Sequence, residues 1–285
     1  MRLSCVQMDV RFADVAGNLA TIARHIEEEG ARRADLVVFP ECATSGYVFH
    51  DVDEARRAAV RVDGPEIDGL VDACRRAATT AAVGILERAP EGHLQNAVVF
   101  LDGNGVLGVY RKTHLPHMGV DRFVRAGLAL SPEVVVAGVR VAALVCYDGT
   151  FPEPARVLAL RGADLLILPT NWPNQEAEKG TFLPPTRALE NVVWVAAVNR
   201  AGPERGIDFL GNSSICDPGG RRVATAGVEP TVLRADIDPA DARRKRRDTV
   251  PGELWVDRFA DRRPDLYDRI VDGGGTSGIH PSPRT

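Results

Sequence analysis

The sequence lacks the features that mark several large classes of protein. Its 285 residues carry a formal net charge of −4 and a sequence pI of about 5.9, so no excess of positive charge favours nucleic acid or an anionic membrane as a partner. No apolar run approaches the roughly 18 residues of a membrane span. The first ten residues, MRLSCVQMDV, do not resemble a secretory signal. We therefore expect a cytoplasmic protein with neither partner.

Cysteines are few and scattered. There are five, an odd number, and neither a Cys-x-x-Cys spacing nor a histidine cluster accompanies them: Cys5, Cys42, Cys74, Cys146 and Cys216. The pattern favours neither a disulfide framework nor a zinc site. A reducing compartment fits this usage, and we expect no bound metal.

What the sequence does contain is typical of a globular α/β protein. Hydrophobic residues make up 45% of the chain and charged residues 26%, which is ordinary globular composition. A chain of this length buries roughly 75% of its unfolded surface, so it can build a core without disulfides. Short apolar runs alternate with amphipathic helical segments, and neither an internal repeat nor a linker rich in proline and glycine interrupts them.

The pattern predicts eleven strands and four helices. Two pairs of strands flank Asp-Gly-Asn-Gly and Asp-Pro-Gly-Gly, which predict hairpins. The predicted strands cover residues 3–8, 36–39, 81–87, 96–101, 106–110, 139–145, 165–168, 192–198, 211–216, 222–225 and 232–237, and the predicted helices cover 18–30, 67–78, 152–161 and 184–191.

Three of these strands are each followed by a different reactive type of side chain. The stretch DLVVFPECATSGY supplies Glu41, GVYRKTHLP supplies Lys112, and VRVAALVCYD supplies Cys146. In sheets with helical crossovers, reacting groups gather at the carboxyl ends of strands. We therefore expect these three side chains to meet.

An acid, a lysine and a thiol together suit nucleophilic catalysis. A thiol with a pKa of about 8.5 is mostly protonated at neutral pH, and the thiolate is the nucleophile. Glu41 follows an apolar run, and burial there would raise its pKa enough to accept the thiol proton. Lys112 can hold the oxyanion of a tetrahedral intermediate. Taken one at a time, however, such residues are most often a packed thiol, a turn carboxylate and a surface lysine.

The sequence around each residue decides between these interpretations. FPECATSGY, YRKTHLP and LVCYDGTFPE, in that order, resemble the three signature blocks of the carbon–nitrogen hydrolase (nitrilase) superfamily. LLILPTNWP, PTRALENVVWVAAVNRAG and GNSSICDPGGRRVATAG also resemble its pattern, and the likeness covers residues 2–237. The resemblance implies a catalytic triad of Glu41, Lys112 and Cys146. It also implies an α/β fold, a four-layer α-β-β-α sandwich, with no metal or organic cofactor.

The resemblance extends to domain organisation. It implies that the sandwich pairs into a homodimer or a larger homo-oligomer. We expect residues 1–272 to form a single domain, in which residues 238–272 are a C-terminal extension at a subunit interface. Residues 273–285 follow three consecutive glycines from Gly273 and predict a flexible tail.

The residues after the cysteine favour the amidase-type branch of the superfamily. True nitrilases carry a Trp-Glu pair there, whereas this chain has Tyr147-Asp148. Relatives also place a further glutamate after the lysine, where it positions substrate and water. Asp121 is the only carboxylate in the corresponding segment HMGVDRFVRAG, and it is the candidate for that role.

Several neighbours complete the candidate site. The backbone N–H of Tyr147 is placed to be a second oxyanion donor, and Asp148 is expected to fix the turn. Tyr47, Asn171 and Trp172 follow strands in loops and are candidates for substrate binding, although Trp172 suits core packing equally well.

The sequence therefore predicts a cofactor-free amidohydrolase. It would cleave a small linear amide through a cysteine thioester and release ammonia and a carboxylic acid. Three alternatives stay open: an N-carbamoyl amine or amino-acid hydrolase, acyl transfer to an amine, and a non-catalytic binding protein on the same fold. An arginine-rich segment after the cysteine, which carbamoylases often use, is absent.

Overall fold

The computed structural model describes residues 1–271 and divides the chain into two compact units. The first unit is 1–244, and the second begins at Lys245. The predicted single domain of residues 1–272 and the assignment of residues 238–272 to a subunit interface stay predictions. The predicted flexible tail, 273–285, lies outside the described residues.

The first unit holds fourteen strands and six helices. The strands are β1 (Arg2–Gln7), β2 (Leu36–Val38), β3 (Thr80–Arg88), β4 (Leu94–Asp102), β5 (Gly105–Arg111), β6 (Val134–Val136), β7 (Val139–Ala143), β8 (Leu165–Thr170), β9 (Trp194–Asn199), β10 (Pro203–Glu204), β11 (Ile207–Asp208), β12 (Ser214–Cys216), β13 (Arg222–Thr225) and β14 (Thr231–Asp236). The helices are α1 (Val15–Ala31), α2 (Val52–Ala58), α3 (Pro65–Ala77), α4 (Pro152–Leu160), α5 (Ala177–Asn191) and α6 (Pro239–Arg243). Short 3₁₀ turns cover Gly119–Arg122, Cys146–Thr150 and Asn174–Glu176.

In the described part of the second unit, β15 (Arg246–Val250) and β16 (Leu254–Asp257) form an antiparallel hairpin. A 3₁₀ turn (Pro264–Leu266) and a short helix, α7 (Asp268–Val271), follow. The sequence patterns predicted none of these elements.

The first unit is built on two mixed six-stranded sheets. One has the strand order β14-β1-β2-β3-β4-β5 and the other β13-β12-β9-β8-β7-β6. In one sheet β1, β2 and β3 run parallel to one another, and in the other sheet β7, β8 and β9 do so. The strands that flank each of these groups are antiparallel to it. Helices flank the two sheets, so the predicted four-layer α-β-β-α sandwich is confirmed.

Helix α1 shows how the sequence specifies the outer layer. The Asp14 side chain accepts a hydrogen bond from the Gly17 N–H at 3.0 Å, which satisfies one of the unpaired donors at the helix start. Ile22 and Ile26, four residues apart, are fully buried in the core against the first sheet. Burying each of these side chains stabilises the fold by about 2 kcal/mol.

Helix α5 is longer than the sequence predicted. The prediction began it at residue 184, because Pro184 and Pro185 cannot donate backbone hydrogen bonds. In the structure both prolines lie inside the helix. The carbonyls that they leave without a helical donor, those of Gly180 and Thr181, both accept hydrogen bonds from the Arg222 guanidinium. Arg222 therefore compensates for the two missing donors.

Strand β8 also passes through a proline. The prediction ended this strand at residue 168, whereas it continues through Pro169 to Thr170. Pairing with β7 covers only Leu165, Leu166 and Ile167, so Pro169 lies beyond the end of that neighbour. A proline is tolerated where its missing N–H has no strand to face.

Residues 1–271 contain neither a membrane-spanning helix nor a cluster of metal-ligating side chains. No helix there is long and apolar enough to cross a membrane. Within the same residues, no group of three or more histidine, cysteine or acidic side chains is arranged to hold a metal ion.

Candidate active site

The predicted side chains lie beyond the carboxyl ends of strands in both sheets. Glu41 follows β2, Lys112 directly follows β5, Cys146 follows β7, and Asn171 directly follows β8. Glu41 and Lys112 are almost fully buried, at 1% exposure each, and Cys146 is 8% exposed. Reactive groups of both sheets are thus held in the interior near the strand ends.

Lys112 lies between two carboxylates. Its Nζ is 2.7 Å from Glu41 Oε1 and 2.6 Å from Asp121 Oδ2. The side chains of all three residues have no exposed surface. The cluster therefore holds two acidic groups and one cation, and charge-assisted hydrogen bonds join them.

Asn96, near the start of β4, completes this cluster. Its Nδ2 donates to Glu41 Oε1 at 2.7 Å and to Asp121 Oδ1 at 2.9 Å. Tyr47 lies on the other side of Asp121, and its hydroxyl donates to Asp121 Oδ2 at 2.8 Å. Each carboxylate oxygen of Asp121 is thereby occupied, whereas Glu41 Oε2 is buried and has no hydrogen-bond partner among the described residues.

The electrostatics follow from burial and from these contacts. Burial raises the pKa of Glu41, the Lys112 ammonium opposes this, and the Asp121 charge adds to it, so that the net shift is upward. Burial alone would lower the pKa of Lys112, but the Asp121 and Glu41 charges outweigh it and hold that pKa well above its usual range. Lys112 is therefore a cation at neutral pH.

Cys146 begins the 3₁₀ turn Cys146–Thr150 with a strained backbone. Its φ is 46°, in the left-handed region where a residue other than glycine costs about 1–3 kcal/mol. Burial, together with the Glu41 charge, raises the pKa of the Cys146 thiol, while a hydrogen bond from the Asn171 backbone N–H opposes the shift. At neutral pH the resting group is thus the protonated thiol.

Asp148 holds this turn in place. Its Oδ2 accepts from the Val145 N–H at 2.9 Å and from the Tyr110 hydroxyl at 2.8 Å, while its Oδ1 accepts from the His114 N–H at 3.0 Å. Asp148 therefore ties the turn that carries Cys146 to the chain on both sides of Lys112. This agrees with its predicted structural role.

The other predicted residues surround these groups. The Asn171 side-chain amide donates to the Glu41 backbone carbonyl at 3.1 Å, and the Asn171 backbone N–H donates to Cys146. Asn171 therefore contacts both residues. Trp172 is 1% exposed, and its backbone N–H donates to Asn199 Oδ1 at 2.9 Å. Tyr147 is half-buried and packs edge-on against Phe151, with ring centroids 5.1 Å apart.

Sequence reasoning missed two residues with direct contacts to this region, Asn96 and Arg187. The buried Arg187 guanidinium donates to the carbonyls of Gly149 and Thr150, each at 2.9 Å, and so supports the end of the turn that Cys146 begins. The candidate residues were identified by their position just after a predicted strand, and neither Asn96 nor Arg187 has that position. The start of an antiparallel strand lies at the same sheet edge as the end of its neighbour, and that rule would have pointed to Asn96.

A two-sheet sandwich with a buried Glu–Lys pair and a cysteine beyond the strand ends is the arrangement of nitrilase-superfamily hydrolases. The chain belongs to the carbon–nitrogen hydrolase family, since residues 2–247 match the family described as Carbon-nitrogen hydrolase. The predicted resemblance is thereby confirmed.

The chain is similar to both nitrilases and amidases. It is 32% identical to a nitrilase of Pyrococcus abyssi, over 94% of this chain and 100% of the relative. It is 29% identical to a 2-oxoglutaramate amidase of Bacillus subtilis, over 93% of this chain and 98% of the relative.

Among solved structures, a mutant of the amidase from Nesterenkonia sp. AN1 matches with a TM-score of 0.77 and 28% identity, over 94% of this chain and 96% of the other. In that structure the acetamide moiety of fluoroacetamide is covalently added at the active-site cysteine. Together the comparisons establish a hydrolase of carbon–nitrogen bonds other than peptide bonds, with an active-site cysteine.

Proposed function

We propose that the protein is an amidase that hydrolyses a small linear amide through a thioester on Cys146. The observation that carries this proposal is the state of the Glu41 carboxylate. Its Oε1 is fixed by Lys112 and Asn96, whereas its buried Oε2 has no partner among the described residues. A carboxylate oriented by one oxygen and free at the other is suited to accept a proton.

Glu41 is the general base in this proposal. Because burial raises the pKa of the Cys146 thiol, the nucleophile is generated by proton transfer during the reaction. Burial also raises the pKa of Glu41, which makes its carboxylate a stronger base than that of a glutamate in water. A general base works best when its pKa lies near the working pH.

Lys112 and Tyr147 are the oxyanion donors. An ammonium group has three N–H donors, and Lys112 uses two of them on Glu41 and Asp121. The third can be directed at the oxygen of the substrate. Tyr147 is the second residue of the turn that Cys146 begins, and N–H groups at the start of such a turn have no acceptor within it.

The reaction then proceeds in two halves. The thiol proton passes to Glu41, the sulfur attacks the amide carbon, and the carbonyl electron pair moves to the oxygen. As the carbonyl re-forms, the C–N bond breaks and Glu41 protonates the departing nitrogen, which leaves as ammonia. Glu41 next takes a proton from water, the resulting hydroxide attacks the thioester, and the C–S bond breaks to release the carboxylic acid. The thiolate finally recovers the proton from Glu41.

Asp121 has the supporting carboxylate role. It contacts Lys112, Asn96 and Tyr47 at once, so it can fix the ammonium and raise the proton affinity of Glu41. Tyr47 orients Asp121 through its hydroxyl. Asn171 and Trp172, which follow β8, are proposed to line the substrate pocket.

Several features favour an amide over a nitrile. The chain carries Tyr147-Asp148 after the cysteine, as amidase-type relatives do, and Asp148 is occupied in holding the turn. The amidase from Nesterenkonia sp. AN1 matches over nearly the whole chain. We further propose that the enzyme needs no metal or organic cofactor, is cytoplasmic, and assembles as a homodimer or larger.

A substrate screen tests the proposal. Purified enzyme is offered short aliphatic amides, dicarboxylic monoamides, N-carbamoyl amines and the matching nitriles, and ammonia and carbon dioxide are measured. Amidase activity predicts ammonia without carbon dioxide from at least one amide, and none from the Cys146→Ala variant. Carbon dioxide from the carbamoyl compounds, or turnover of nitriles alone, would reassign the substrate. No product from any class, with a thiol at position 146 that resists alkylation, would indicate a non-catalytic protein.

A further inference from the structure

We propose that Asn96 is a positioning residue of this site, whose side-chain amide holds the carboxylates of Glu41 and Asp121 in one fixed arrangement around Lys112. The inference rests on the proposed function for its consequence in turnover. Its geometry stands independently of the substrate.

Asn96 contacts each charged member of the cluster. Its Nδ2 donates to Glu41 Oε1 at 2.7 Å and to Asp121 Oδ1 at 2.9 Å. Its backbone carbonyl accepts the Lys112 N–H at 2.8 Å, which continues the pairing of β4 with β5 by one residue. Asn96, which is 1% exposed, thereby fixes both carboxylates and the backbone from which the Lys112 side chain extends.

The chemistry of the amide suits this position. A side-chain NH₂ group supplies two N–H donors without adding charge, so it can satisfy two carboxylates at once. A hydroxyl would supply only one donor. The reversed amide would put its oxygen against both carboxylates, so the orientation is fixed, and Oδ1 has no hydrogen-bond partner among the described residues.

Asn96 bridges two carboxylates of like charge and so fixes their relative position. Without it, Glu41 Oε1 would be held by Lys112 alone, and the carboxylate could rotate its free oxygen away from the thiol. The groups that face Glu41 electrostatically are Lys112, Asp121, Cys42, Tyr47 and Cys146. Of these, only Lys112 favours the charged form of the carboxylate.

Loss of the Asn96 donor should raise the pKa of Glu41. A hydrogen bond to a charged carboxylate lowers its pKa, and Asn96 contributes in that direction for Glu41. Removing the donor therefore raises the pKa of Glu41, and the acid limb of any process that needs the Glu41 anion moves to higher pH.

The test compares Asn96→Leu with Gln95→Leu. Gln95 is the preceding residue of β4 and is also buried, but successive side chains of a strand point to opposite faces. The rate of iodoacetamide alkylation is measured against pH, with the Cys146→Ala variant subtracted as background. Ammonia release from the best amide gives kcat and KM.

For Asn96→Leu we expect the alkylation midpoint to rise by about one pH unit, and kcat to fall by about 10–10²-fold with little change in KM. Gln95→Leu should follow the wild type in both. A midpoint and kcat of Asn96→Leu equal to those of Gln95→Leu would overturn the proposal.

Asn96→Asp is a second variant, in which the new side chain has nearly the same volume as asparagine. It replaces Asn96→Leu in the test if the leucine variant does not fold. It adds an acid beside Glu41, so its midpoint should also rise, and an unmoved midpoint would count against the proposal. If the wild type hydrolyses no amide, the proposed function fails, but the alkylation midpoint still decides the role of Asn96.

Discussion

Replacing Asp121 by asparagine separates the electrostatic role of this residue from its packing. The side chain keeps its shape, and one of its atoms can still accept a hydrogen bond from Lys112 or Tyr47. The other atom becomes an NH₂ group that must face Asn96 or Lys112, which are donors themselves. At least one contact to a charged group is thus lost, and the cluster changes from two acids and one cation to a single ion pair.

The magnitude follows from that loss. A hydrogen bond to a charged group contributes about 1.5–3 kcal/mol, and a tenfold change in rate corresponds to about 1.4 kcal/mol. Asp121→Asn should therefore slow amide turnover by about 10–10²-fold. Because the Asp121 charge raises the pKa of Glu41, its removal lowers that pKa, and the acid limb of kcat/KM should move to lower pH.

The assay measures ammonia release across pH together with iodoacetamide alkylation of Cys146. The thiol should stay reactive, since the Asp121 charge raises the pKa of Cys146 and its loss opposes that shift. Asp68→Asn, an exposed site on α3, is the matched control. Turnover within about threefold of the wild type, with an unmoved acid limb, would refute the reasoning and make Asp121 a structural residue.

Three further predictions test other parts of the site and the assembly. Lys112→Ala should lose about 10²–10³-fold in kcat, as other oxyanion donors do; a variant changed only in KM, in steady-state kinetics, would show that Lys112 merely binds substrate. Glu41→Gln should abolish turnover without lowering the Tm at pH 7. Because the folded-state pKa of Glu41 is raised, the contribution of Glu41 to stability is complete below its unfolded pKa and is lost as pH rises through its folded pKa. Glutamine does not titrate, so the variant has no such loss. A clear fall in Tm by calorimetry would contradict this. Light scattering at micromolar concentration should give a dimer or larger, and a mass of 30.8 kDa would contradict the proposed assembly.

The parts of the site that follow strands could be predicted from the sequence. Glu41, Lys112 and Cys146 each come shortly after an apolar run that is followed by turn residues. Such runs locate the ends of strands well. Parallel strands joined by crossovers bring their carboxyl ends to one edge of a sheet, which places Glu41 at the edge of one sheet and Cys146 at the edge of the other. Packing of the two sheets then brings the two residues together. The family resemblance of the surrounding blocks added the expectation that they act together.

Contacts made across the fold could not be predicted in this way. Asn96 stands near the start of an apolar strand that is buried along almost its whole length, and its contacts depend on the register that pairs β4 with β5. Arg222 satisfies the carbonyls freed by Pro184 and Pro185 from a strand more than thirty residues away. Local propensity favours a helix that starts at those prolines, and the guanidinium on β13 allows it to begin earlier.

The buried charges of the cluster are better explained by chemistry than by stability. Removing Glu41, Lys112 and Asp121 from water costs several kcal/mol per ion, and such clusters are often no more stable than apolar replacements. In a single Glu41–Lys112 pair, the ammonium would oppose the effect of burial on the pKa of Glu41 with no second acid to offset it. Glu41 would then be a weaker base beside a thiol whose own pKa is raised by burial. The second carboxylate opposes that effect of Lys112, so Glu41 keeps a high proton affinity while the lysine stays charged. Loss of the third charge should therefore slow turnover by making Glu41 a weaker base, whereas loss of Glu41 itself should abolish turnover.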